Sequence, residues 1–237
     1  MAKYKYVSIK HVFYEINKNY LWHEIQMEYV WLKKAEERKI EQFFDSVLRG
    51  YPIGSFLFWK LKKEDFETNK ENRELIEKLN FQQYKFLAKN DGREVHNIKI
   101  NAEEVNSNDH PFVLNGQQLL TSLYIGFINS RTLSHQKGSL NNSNAYEEKK
   151  LFLNLKHKPK FKNPEDRFDF KFLKYKETTN TDDKFWFKVA DILEMDSVIS
   201  YVRNHNLSKI ETENLEKLKE VFCIQKPISY FEDVKIN

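Results

Sequence analysis

The sequence predicts an α+β fold, and three observations carry that expectation. Apolar residues recur at helical spacing in some stretches and in short β-like runs in others. Six Gly and five Pro in 237 residues are too few for an all-β sandwich built on tight turns. Apolar residues make up 40% of the chain and aromatic residues 15%, enough for a packed core rather than a solvated tail.

The elements follow in order. Ser8 is placed to cap a helix whose apolar residues Ile9, Val12, Phe13 and Ile16 keep helical spacing. After Asn17 to Asn19, the aromatic and β-branched stretch Tyr20 to Trp31 reads as a short strand and an ordered loop. Lys33 to Arg49 is the clearest helix, with Ile40, Phe43, Phe44, Val47 and Leu48 on one face and Gly50 as its C-terminal stop. Ser55 to Leu61 is an apolar strand, and the charged segment Lys62 to Asn80 reads as an exposed helix. Short strand-like pieces follow at Tyr84 to Leu87 and Ile98 to Ile100, around an Asn90-Asp91-Gly92 turn.

Phe112-Val113-Leu114 is then a strand, Asn115-Gly116 a turn, and Gln117 the start of a helix buried through Leu120, Leu123, Tyr124, Phe127 and Ile128. The polar loop Ser139 to Ser143 separates two domains, residues 1–138 and a mixed strand-and-helix extension over 139–237. In the extension, Leu151 to Leu155, Phe168 to Leu173 and Phe185 to Val189 read as strands. Ser208 and Glu211 form a capping box for a helix, and Ile228 to Val234 is a last strand, cut short.

Composition excludes several function classes. Cys223 is the single cysteine, so an internal disulfide and a multi-thiolate metal site are out; its apolar setting gives it a buried structural role. The seven His residues show no metal-binding spacing, and no metal is expected from them. The N-terminus lacks a signal-peptide core, and the apolar stretch Leu119 to Ile128 is too short to span a bilayer, which implies a cytoplasmic protein with no membrane partner. A net charge of +4, mostly from Lys, permits nucleic-acid contact without demanding it.

Two stretches invite chemistry. From His110 to Ser130 there is no Asp, Glu, Lys or Arg, although charged residues are 31% of the chain. A strand and helix buried together explain that gap. A strand, a glycine and a helix start also form an anion-accepting turn, because helix N-terminal amides point at the ligand. The second stretch is the basic run Lys156, Lys158, Lys160 and Lys162, interleaved with His157, Pro159 and Phe161. It reads either as a nucleic-acid-binding segment, with Phe161 to stack, or as a solvated loop.

Three stretches together resemble the N-terminal domain of the GmrSD-type modification-dependent restriction endonucleases, a ParB/sulfiredoxin-like family of prokaryotic defence proteins. Glu24-Ile25-Gln26-Met27-Glu28-Tyr29-Val30-Trp31 is similar to the family's Gln-Arg-x-Tyr-Val-Trp segment. Phe44-Asp45-Ser46-Val47-Leu48-Arg49-Gly50-Tyr51-Pro52-Ile53-Gly54 is close to its helix and turn, and Asn115-Gly116-Gln117-Gln118-Leu119 to its Asp-Gly-Gln-Gln-Arg motif. The resemblance is sharp over residues 8 to 130. It implies a site that binds and hydrolyses a nucleoside triphosphate with Mg2+, in partnership with DNA and a separate nuclease domain or subunit.

Carried over position by position, Gly116, Gln117, Gln118, Gln26, Tyr29 and Trp31 match, and with Thr121 in the following helix they are the expected nucleotide-binding residues. Asn115, Leu119 and Met27 stand where the family's motifs carry Asp, Arg and Arg, and His23 stands where it has Pro. The catalytic positions have therefore lost their charges. An Asp no longer orients water or cation, and two guanidinium forks no longer meet phosphate. The expectation is a nucleotide-binding domain of a restriction or phage-defence protein with weak or absent hydrolysis, truncated and unable to cleave DNA alone. The alternative is a non-catalytic regulatory or DNA-associated module.

Overall fold

Phe44 is the residue about which the two halves of the chain close. In the computed structural model, residues 3–18, 22–23, 37–53, 55–60, 83–84, 89–90, 95–96, 111–127, 131–134, 146–162, 165–225 and 228–232 are described. Helix α2 (Glu37–Leu48) buries the face expected of it, Ile40, Phe43, Phe44, Val47 and Leu48. The Phe44 ring stacks on Phe222 at 5.5 Å, meets Phe127 edge-on at 5.3 Å and lies 5.9 Å from Phe170. Gly126 permits this approach, since a Cβ there would overlap the Phe44 ring and sit 3.2 Å from Leu151 Cδ2. One apolar cluster thus runs through residues on both sides of position 138. The Ser139 to Ser143 loop, where a domain boundary is expected, lies outside the described residues.

The N-terminal half begins with β1 (Lys3–Val7) and α1 (Ile9–Glu15), the helix capped as expected by Ser8 Oγ, which accepts from His11 N at 3.1 Å. Strand β2 is Trp22–His23. After α2, Gly50 takes φ +80, and the bonds Tyr51 N to Ser46 O (3.0 Å) and Gly50 N to Val47 O (2.9 Å) close a Schellman motif. Next come β3 (Ser55–Lys60), β4 (Gln83–Tyr84), β5 (Lys89–Asn90), β6 (Val95–His96), β7 (Pro111–Asn115) and α3 (Gln117–Phe127). The helix expected over 62–80 and the strand at Ile98 to Ile100 fall outside the described residues.

The second half contains β8 (Arg131–Ser134), β9 (Tyr146–Asn154), β10 (Phe170–Leu173), β11 (Trp186–Lys188), α4 (Asp191–Glu194), α5 (Val198–His205), α6 (Lys209–Lys219), a π-turn (Glu220–Ile224) and β12 (Ile228–Glu232). The capping box is present: Ser208 N donates to Glu211 Oε2 at 2.7 Å and Glu211 N to Ser208 Oγ at 3.4 Å. One sheet has the order β1-β12-β3-β7 and another the order β10-β9-β11, with β8 also on β9. The last strand is therefore interior, antiparallel to β1 and parallel to β3. This mixed arrangement is α+β, as expected.

Two carboxylates of α2 fasten the halves together. Asp45 Oδ1 accepts from Phe168 N at 2.9 Å, and Glu41 Oε1 from Phe172 N at 3.0 Å. Residues four apart on a helix share a face, so this pair covers amides along the outer side of β10, an edge that would otherwise invite pairing. Burial pushes the Asp45 carboxyl up from its ordinary range, while the Phe168 amide, Arg49 and Arg167 pull it back. Asp45→Ala should destabilise the fold by about 1–3 kcal/mol in urea denaturation, because the Phe168 N–H loses its acceptor. Asp45→Asn keeps an acceptor and removes the charge. With a raised pKa in the fold, the Asp45 contribution is whole below the ordinary Asp pKa and is lost as pH rises through the raised value. The Asn variant should accordingly gain on the wild type as pH rises from below the ordinary Asp pKa through the raised one; a constant difference would contradict this balance.

Candidate functional site

The turn after β7 is built around one glycine. Gly116 has φ +95, and a Cβ on it would come within 2.6 Å of Phe56 Cε1, so the backbone lies flat on a fully buried ring. Its carbonyl accepts from Leu120 N at 2.9 Å, the first bond of α3. Asn115 is exposed at the strand end, and its Oδ1 accepts from Gly116 N at 2.9 Å. The Asn115 side chain is thus turned onto its own backbone.

The residues that follow divide between core and cavity. Gln117 and Thr121 are buried, and Thr121 Oγ1 donates to Gln117 O at 2.8 Å. Ser122 Oγ does the same with Gln118 O at 2.7 Å. These hydroxyls hydrogen-bond to carbonyls of their own helix, so Thr121 is not presented to a ligand. Leu119, half-buried, faces open space. It lines a cavity of about 340 Å3 together with Lys39, Gln42, Phe43 and Ser46 of α2 and Pro52 and Ile53 of the turn. Gln26, Met27, Tyr29 and Trp31 lie outside the described residues.

Helix α2 supplies the opposite wall because Lys39, Gln42, Phe43 and Ser46 are spaced i, i+3, i+4 and i+7, a single stripe. Lys39, Gln42 and Ser46 of this stripe carry no signal in the sequence analysis; the stripe shares only Phe43 with the apolar face. Lys39 is the charged member of the lining. The Gln42 amide oxygen, in the orientation that satisfies its neighbours, accepts from Arg167 Nη1 at 2.8 Å and Arg38 Nε at 3.3 Å. Ser46 Oγ donates to Gln42 O at 2.8 Å. The lining is mostly apolar, through Phe43, Pro52, Ile53 and Leu119, with a smaller polar part from Lys39, Gln42 and Ser46, a combination suited to a ligand with a flat apolar portion and an anionic group.

The described residues do not fit the Mg2+ that the resemblance implies. Asn115 offers an amide oxygen already engaged by Gly116 N, and the α2 carboxylates Glu41 and Asp45 accept from backbone amides of the other half. Among the described residues no three His, Cys, Asp or Glu side chains converge. Cys223 is half-buried with its thiol pushed up by burial, and Sγ lies 3.6 Å from Ile192 O. The raised pKa disfavours the reactive thiolate form.

The basic run splits in two. Lys156 Nζ donates to Thr181 O at 2.8 Å and Asp182 O at 3.2 Å, and Lys158 Nζ pairs with Glu213 Oε2 at 2.5 Å. The Lys160 and Lys162 side chains are exposed on either side of Phe161. Among the described residues no helix is long and apolar enough to cross a membrane.

Residues 9–225 match a family model described as GmrSD restriction endonuclease, N-terminal domain. No curated protein matches the chain.

Proposed function

Because the chain belongs to the GmrSD restriction endonuclease N-terminal domain family, we propose that it is the nucleotide-binding domain of a prokaryotic anti-phage restriction protein whose hydrolysis is impaired. The observation that carries this reading is the position of Leu119. The residue that replaces the motif's Arg forms the wall of the cavity between α3 and α2. A ligand there meets one lining cation, Lys39, and a hydrophobic surface where a guanidinium would have gripped phosphate. Binding through an apolar portion and a single anionic contact survives such a change. Phosphate-directed chemistry is weakened, because Leu119 offers no charge to meet that developing on the phosphate.

Titration calorimetry of the chain with ATP, GTP, CTP and UTP, each with and without magnesium, tests it. We expect at least one nucleotide to bind with a dissociation constant of about micromolar order and with little dependence on magnesium. Phosphate release should stay near the uncatalysed rate. Silence with all four in folded protein would defeat the nucleotide reading and leave a non-catalytic interaction module. Rapid magnesium-dependent phosphate release would defeat the claim of impairment.

A further inference from the structure

Outside the cavity, the C-terminal end of α2 carries a group of side chains that the nucleotide reading leaves without a role. Arg49 Cζ lies 4.7 Å from the ring centroid of Tyr51 and 4.7 Å from that of Phe161. The two rings come from distant parts of the chain, yet both remain exposed, at 51% for Tyr51 and 44% for Phe161. Arg49 is held in turn by Asp45 Oδ2 at 3.6 Å. Phe161 is braced edge-on by Phe168 at 5.7 Å.

The loop presenting Phe161 is fixed against its preference. Phe161 has φ +53, the left-handed region that bulky residues avoid. Asp166 Oδ2 holds it there, accepting from Lys160 N at 2.7 Å and Lys162 N at 3.4 Å. A half-exposed ring in an unfavourable backbone conformation contributes little to the core, so stability does not account for the arrangement. Its effect is to set two aromatic surfaces beside a guanidinium, with two exposed lysines flanking one of the rings.

We propose that Tyr51, Phe161, Lys160 and Lys162, with the mostly buried Arg49 bracing the two rings, form a binding platform for single-stranded nucleic acid. The exposed aromatic surfaces stack on any base whose face is uncovered, and lysines beside them track the phosphates. A duplex has its base faces covered by neighbours and gains nothing from the rings. An acidic peptide would use the charges but leave the rings idle. Lys156 and Lys158 are engaged with carbonyls and with Glu213, so they are excluded from the platform. The inference is independent of what the adjoining cavity binds.

Fluorescence polarisation with the full chain, a labelled oligothymidine of about twelve nucleotides and a duplex of the same length decides the matter. The single strand should bind more tightly than the duplex, and more weakly as salt rises. Tyr51→Leu with Phe161→Leu keeps apolar bulk on Arg49 but removes stacking, and should weaken single-strand binding about tenfold or more. Lys160→Gln with Lys162→Gln should lower the slope of log affinity against log salt by about 1.4. Lys156→Gln with Lys158→Gln should leave affinity unchanged. Circular dichroism melting of each variant confirms that it folds. Three results would overturn the proposal: no single-strand binding, full binding by the folded Leu pair, or equal competition by polyglutamate.

Discussion

Gly116→Ala should lower stability by about 2 kcal/mol or more, read as a shift of the urea midpoint. Two terms add at this position. A left-handed φ of +95 disfavours any L side chain, and the new Cβ would overlap the Phe56 ring, which is fully buried and has no room to withdraw. Gly50 provides the control, because it shares a positive φ of +80 but has nothing within 4 Å of a built Cβ. Gly50→Ala should therefore show the conformational term alone, about 1 kcal/mol. Equal effects at the two positions would mean that the Phe56 contact contributes nothing. Relief of the overlap requires β7 and α3 to separate from β3, so the Gly116 variant should also lose ligand binding in the neighbouring cavity.

Leu119→Arg should raise nucleoside triphosphate affinity about tenfold or more, since one charged hydrogen bond to phosphate contributes roughly 1.5–3 kcal/mol. Leu119 is half-buried in the cavity wall, where a guanidinium would join Lys39 on the same ligand. Combining it with Asn115→Asp and Met27→Arg should make phosphate release appear or rise about tenfold or more, because the three groups act as a unit. Calorimetry reads the first effect and a phosphate assay the second. Unchanged affinity in a folded Leu119→Arg variant would show that the cavity takes no phosphate.

The local signals in the sequence were sound where a residue type had one use. Ser8, Gly50, Gly116 and the Ser208–Glu211 pair marked their caps and turns because few other residues fill those conformations. Strands made by their partners were harder to see. Lys3–Val7 and Arg131–Ser134 are polar enough to pass as loops, and they become strands by pairing with β12 and β9. Helix α5, capped by Ser197, lays only a short stripe, Val198, Tyr201 and Val202, half-buried against the core, too brief to stand out among its polar neighbours. The π-turn adds a residue to the helical path where Phe222 must reach Phe44, a demand set by tertiary packing.

The site divided in the same way. Leu119 was legible through the resemblance of its turn to the family motif. Lys39, Gln42 and Ser46 form a stripe that gains meaning only when α3 and the Pro52–Ile53 turn pack across it. The basic run was legible as charge, but its division was not. Thr181, Asp182 and Glu213, which engage its first half, are far along the chain.

The placement of β12 bears on how the molecule is made. Val7 pairs with Ile228 and Lys3 with Glu232, while Tyr230 pairs with Phe56. β1 therefore has no strand neighbour until β12 has been made, whereas β3 can pair earlier with β7. Such high contact order slows folding and leaves edges unpaired during synthesis. The second sheet, with β9 flanked by β10 and β11 within a short span of chain, can form first and offer Phe170 as a surface on which α2 assembles.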